Sequence, residues 1–177
     1  MLVDSPEGPP PSWSLDVRIL ARTSCMGAMN LKRTDGSSKE FRELIVMLDK
    51  ELWDRYADVQ HEYEQGNIVD KDVRVVIAVG NRMALGCGCI RVTGKQGVVE
   101  MKRVFVRPEY RRRSIARDIV IELETWAKET RQRQIILETG KKQPEAIRLY
   151  ESLGYHVIPN YGEYMEKTES VCMAKTL

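Results

Sequence analysis

Apolar positions along this chain recur in two rhythms. Leu31 to Thr34 reads as a first strand, and Asp35 to Ser38 carries turn and helix-start chemistry. From Lys39 the residues Phe41, Leu44, Ile45, Leu48 and Leu52 return at helical spacing. Asp54 to Glu64 is expected to form a second helical piece, ended by Gly66. Val73 to Val79 is strongly β-branched, Asn81 to Met83 turns the chain into Ala84 to Val92, and Lys95 to Gly97 turns it again into Val98 to Val106. These runs predict an antiparallel meander.

The rhythm then changes. Ser114 to Thr130 is a predicted helix whose core face includes Ile115, Ile119, Leu123 and Trp126, and Gln134 to Thr139 is a strand expected to lie parallel to Val98–Val106. Pro144 opens a further helix and Gly154 closes it. Tyr155 to Ile158 and Ser170 to Lys175 are the last strands, joined by a polar loop through Tyr161 and Tyr164. The expected architecture is α/β, with a mixed, largely antiparallel central sheet of 6–7 strands flanked by about four helices.

One junction stands out chemically. At Val104 to Arg117, VFVRPEYRRRSIAR, an apolar strand breaks at Pro108 and an arginine-rich turn leads directly into the long helix. A helix N-terminus offers unpaired N–H groups and a partial positive charge, so this layout suits a pyrophosphate. The segment resembles the acetyl-CoA signature of the GNAT family of N-acetyltransferases, with Arg111, Ser114 and Ala116 on its three defining positions. Ser114 replaces the usual Gly, and Arg112 stands where Gly is also common. Downstream, Glu145 to Tyr155, EAIRLYESLGY, resembles the family's second signature. The resemblance runs from Met29 to the C-terminus and implies a GNAT-like fold and an acetyl-CoA-dependent N-acetyltransferase acting by direct attack in a ternary complex. A catalytically weak acyl-CoA-binding module is the alternative, kept open by Ser114.

Amine acetylation needs a proton removed from the ammonium and one returned to the leaving thiolate. The resemblance implies Tyr150 as the acid. Glu100, eleven positions before Arg111, matches the spacing at which some members of the family it resembles carry a catalytic Glu and is the leading base, and strand alternation predicts that it shares a face with Lys102 and Val104. Glu138 is the second carboxylate considered, as base or acceptor ligand, and ordered water can also serve. For acetyl-CoA, the resemblance implies main-chain pairing at Val104, Phe105 and Val106 where the two parallel strands splay. It places the diphosphate on Arg111, Arg112, Arg113, Ser114, Ile115, Ala116 and Arg117, and puts Gln143 near the pantetheine arm. The acceptor pocket is expected from Tyr56, Gln60 and Tyr63 on the early helices and Tyr161, Glu163 and Tyr164 in the last loop.

Composition narrows the partners. Lys plus Arg number 28 against 26 Asp plus Glu, a net charge of +2, which argues against a dedicated nucleic-acid binder despite the local arginine cluster. Four cysteines at 25, 87, 89 and 172 lack zinc-site spacing and suit a reduced, cytoplasmic protein with no metal. No run has the length of a membrane span. Residues 1–28, with the stretch SPEGPPPS, are expected to be a disordered or extended leader ahead of a domain at 29–177, with Met26 or Met29 as an alternative start. The acceptor is a small-molecule or peptide amine whose identity is open. Homodimers are common in the family, though no interface is visible in the sequence.

Overall fold

The computed structural model describes residues 17–18, 29–57 and 72–177. Its centre is one sheet of eight strands: β1 (Val17–Arg18), β2 (Asn30–Asp35), β3 (Arg74–Gly80), β4 (Met83–Val92), β5 (Val98–Val106), β6 (Gln134–Gly140), β7 (His156–Ile158) and β8 (Ser170–Thr176). Their spatial order is β1-β2-β3-β4-β5-β6-β8-β7, and every neighbouring pair is antiparallel except β5 with β6. Strands β2 to β8 make up the sheet of seven that the hydrophobic pattern predicts. β1, which lies within the expected leader, adds two residues against Leu31 and Lys32.

Three α-helices occur among the described residues, α1 (Lys39–Tyr56), α2 (Ile115–Glu129) and α3 (Pro144–Ser152), where about four were expected. The difference lies at Asp54. α1 runs unbroken to Tyr56, so the start of the expected second piece belongs to the first helix, and positions 58–64 lie outside the described residues. Ser38 caps α1 by accepting the Phe41 N–H, and Asp35 fixes the turn before it by accepting the Ser37 N–H at 2.8 Å.

The helices sandwich the sheet. Phe41, Leu44 and Leu48 of α1 bury against Val75, Ile77, Cys87, Cys89 and Phe105 on one face. Ile115, Ile119, Leu123 and Trp126 of α2 and Tyr150 of α3 bury against Val76, Leu85, Ile90, Val99 and Met101 on the other. α2 sits close because β4 has Gly88 beneath it. A Cβ there would press to 3.0 Å on both Ile119 and Leu123.

A buried charge cluster fixes the angle of α2. Arg33 of β2, only 8% exposed, donates to Glu122 at 2.8 Å and to Glu129 at 2.5 Å, and its guanidinium lies 5.0 Å from the Trp126 ring centroid. Arg74 approaches the same ring at 6.0 Å. Removing one member of a buried pair strands the other in a medium that cannot solvate it. Arg33→Leu is therefore expected to cost about 3–5 kcal/mol in urea unfolding. A loss of about 1 kcal/mol or less, typical of an exposed pair, would contradict this account.

Candidate active site

β5 and β6 run side by side for four residue pairs, Val98 to Met101 against Gln134 to Leu137, and then part. Beyond that point β5 keeps its bonds to β4 and β6 keeps its bonds to β8, so each strand turns toward the other an edge with no strand partner. The parting opens a cleft through the sheet. Lys102, Arg103 and Val104 line one bank, Glu138, Thr139 and Gly140 the other, with α1 contributing Leu48, Leu52 and Tyr56 and α3 contributing Ala146 and Tyr150.

A bulge aims the β5 bank. Pairing with β4 jumps from Lys102–Cys89 to Phe105–Cys87, three residues against two, and Arg103 takes φ 59° to absorb the extra one. Val99 and Met101 lie in the α2-side core, so Glu100 and Lys102 face α1. After the bulge Val104 packs on the α2 side with Ile119 and Leu123 near Gly88. The expected shared face of Glu100, Lys102 and Val104 thus holds for the first two and fails for Val104, because the bulge shifts the alternation by one residue.

The arginine-rich turn follows. Pro108–Tyr110 forms a 3-10 turn, Arg112 and Ser114 both take left-handed backbone (φ 59° and 63°), and α2 starts at Ile115. These are the two positions where glycine is common in the resemblance, and glycine alone adopts that conformation freely. The first backbone bond of α2 runs from the Asp118 N–H to the Ser114 carbonyl, so the N–H groups of its opening residues have no intrahelical partner. Arg112, Arg113 and Arg117 are exposed, whereas Ile115 is buried by its side chain and Ala116 half-buried. Arg111 turns back. Its Nε donates to the Val106 carbonyl at 2.9 Å, its terminal nitrogen pairs with Glu51 of α1, and its guanidinium lies 5.6 Å from the Phe105 ring centroid. Glu51 also accepts from Arg55 at 2.8 Å, and Arg55 pairs with Glu145 at the start of α3.

The titratable candidates divide between two cavities. Tyr150 is buried in the cleft, edge-on to Tyr155 at 5.6 Å, and burial raises its pKa, so the phenol keeps its proton. Glu138 lies in the same cleft. Burial raises its pKa, while the Ser170 hydroxyl, donating at 2.6 Å, pulls the other way. Tyr56 joins them by accepting the Lys142 N–H at 2.9 Å, and burial pushes its pKa up to about 12. It fits because residue 140 is Gly; a Cβ there would lie 2.0 Å from the Tyr56 hydroxyl. Gln143 reaches the cleft too, its carboxamide oxygen accepting from the Gly140 N–H and the Thr139 hydroxyl.

Glu100 is elsewhere. Its carboxylate is buried, takes the Arg91 guanidinium at 2.6 Å and the Tyr161 hydroxyl at 2.9 Å, and lines a neighbouring cavity with Asp72 and Glu163. Tyr164 borders both cavities. Gln60 and Tyr63 lie outside the described residues. Ser170, Arg91 and Glu51 are site neighbours that no local sequence signal marks, since each acts through a partner far along the chain. Among the described residues there is no cluster of His, Cys, Asp and Glu that could hold a metal, and no helix is long and apolar enough to cross a membrane.

The model of the acetyltransferase (GNAT) family matches residues 38–155. The IAA acetyltransferase of Azospirillum brasilense is 32% identical over 136 residues, which make up 76% of this chain and 89% of that protein. Among solved structures, a Klebsiella pneumoniae subsp. pneumoniae protein designated an acyl-CoA N-acyltransferase superposes with a TM-score of 0.71 at 28% identity, covering 84% of this chain and 97% of its own. The PaiA N-acetyltransferase of Thermoplasma acidophilum, solved in complex with coenzyme A, shares the fold with a TM-score of 0.61 at 16% identity, over 83% of this chain and 99% of its own.

The left-handed turn yields a ranked stability series. Ser114→Gly relieves roughly 1 kcal/mol of steric cost, part of which the freer unfolded chain takes back. Ser114→Val places a β-branched side chain at φ 63° and is expected to lose more than about 1 kcal/mol. Chemical denaturation should therefore rank Gly at or above Ser and Val clearly below both. Equal stability of all three would show that the turn relaxes.

Proposed function

The chain belongs to the acetyltransferase (GNAT) family, and from that premise we propose that it transfers the acetyl group of acetyl-CoA to a primary amine by direct attack in a ternary complex, using Glu138 as base and Tyr150 as acid. The observation that carries this reading is the parting of β5 and β6, which gathers Glu138 and Tyr150 into one cleft between two facing strand edges that do not pair with each other. Pantetheine amides are suited to such edges, as an added strand would be. The diphosphate falls to the N–H groups at the start of α2 and to Arg112, Arg113 and Arg117, with Gln143 beside the arm. That the Thermoplasma protein of the same fold was solved with coenzyme A supports the choice of cofactor.

The chemistry follows from burial. A carboxylate whose pKa is raised by desolvation sits closer to neutrality and is a better proton acceptor for an ammonium than an ordinary surface glutamate. Glu138 takes the proton, the neutral amine attacks the thioester carbonyl, and the carbon–sulfur bond breaks as the second amine proton leaves the nitrogen to replace the one that Tyr150 donates. Tyr150, still protonated at neutral pH, gives its proton to the departing thiolate. Glu100 is already committed to Arg91 and Tyr161, so its role is to hold the wall of the neighbouring cavity. That cavity, with Asp72, Glu163 and the edge-on pair Tyr161 and Tyr164, is the entry for a cationic acceptor.

A second reading, acyl-CoA binding with little turnover, draws on Arg111. Its guanidinium occupies the Val106 carbonyl and Glu51, so a cofactor must displace it. Acetyl-CoA titration followed by thiol release across an amine panel separates the two readings: binding with release supports transfer, and binding without release supports the module.

Two outcomes test the assignment of the base. Glu138→Gln is expected to lower kcat/KM by roughly 10²–10⁴ while leaving the affinity for CoA unchanged. In the wild type, activity should rise with pH through a group titrating above the ordinary glutamate range, because the base must be ionised and burial opposes ionisation. That acid limb should vanish in Glu138→Gln and persist in Glu100→Gln. Its survival in Glu138→Gln would assign the base elsewhere.

A further inference from the structure

Lys102 is a half-buried nucleophile that the proposed transfer leaves unused. It is the first β5 residue beyond the last pair with β6, and it lines the cleft that holds Glu138 and Tyr150. Its side chain is 13% exposed. The ammonium nitrogen lies 2.8 Å from the Tyr164 hydroxyl, a neutral partner, whereas the Glu163 and Glu100 carboxylates stand off at 3.7 and 4.0 Å, beyond ordinary hydrogen-bond distance. Burial lowers its pKa, helped by the Arg91 and Arg103 charges and opposed by Glu100 and Glu163. Its amine is therefore neutral more often than that of a lysine at the ordinary value.

We propose that Lys102 is a self-acetylation site, taking the acetyl group from acetyl-CoA bound in the same chain when no acceptor fills the cleft. This rests on the acetyl-CoA reading above. The ammonium first gives a proton to water. The free amine then attacks the thioester carbonyl, the carbon–nitrogen bond forms as the carbon–sulfur bond breaks, and the second amine proton leaves with CoA as the thiol. The product is a neutral amide at the boundary that Tyr164 shares with both cavities. It removes the positive charge that stands between Glu100 and Glu163 and adds bulk where an acceptor would pass, so acetylation slows turnover of external amines.

The test incubates the full chain with acetyl-CoA in the absence of amine and follows intact mass and peptide maps, with CoA binding measured separately by calorimetry. The expected result is one acetyl group at Lys102. It should form at a rate per chain independent of protein concentration, be suppressed by desulfo-CoA and be lost in Lys102→Arg. If CoA binds and Lys102 stays unmodified, the proposal is overturned. Acetylation confined to exposed lysines such as Lys39 and insensitive to desulfo-CoA overturns it equally. If CoA does not bind, the cofactor reading itself fails and this inference falls with it.

Discussion

A backbone edge without a partner is the constraint around which this molecule is arranged. Buried N–H and C=O groups must find hydrogen bonds, yet β5 and β6 abandon each other after Met101 and Leu137 while remaining inside the sheet. The strands can part because each is held from its far side, β5 by β4 and β6 by β8. α1 lies across the opening on one face and α3 closes on it from the other, with Tyr56 reaching the β6–α3 turn over Gly140. What remains is a slot whose polar walls suit an extended, amide-bearing guest.

Part of the strained backbone lies beside that slot. Arg103, Arg112 and Ser114 all take positive φ, the first at the bulge and the other two in the turn before α2. Conformations of this kind persist where the surroundings over-determine them. A ladder of charges from Arg111 through Glu51 and Arg55 to Glu145 ties the turn, α1 and α3 together, so the arginine-rich turn is mechanically joined to the helix that carries Tyr150.

Much of this architecture was legible beforehand. Period-two runs from Val73 to Val106 and the helical face of Ile115, Ile119, Leu123 and Trp126 are local patterns, and each appears in the fold within a residue or two. The splay of the parallel pair was readable too, because the two signature segments flank it. The orientation of Val104 was not, since a bulge is set by cross-strand pairing with Cys87 and Cys89 and leaves no period in the β5 sequence. The division of carboxylates between cavities was equally hidden. Glu100 and Glu138 look alike in sequence, and only the distant partners Arg91, Tyr161 and Ser170 distinguish them.

The bulge at Arg103 also bears on how this chain can change over time. Substitutions along β5 alter one side chain at a time. Gain of a single codon between Lys102 and Val104 would instead slide the strand by one step and send Val104 and Val106 out of the α2 core, whereas loss of Arg103 would erase the bulge and leave both valines in phase. The segment is therefore expected to resist insertion through divergence even where its letters drift, so that spacing, more than identity, records the ancestry of the cleft.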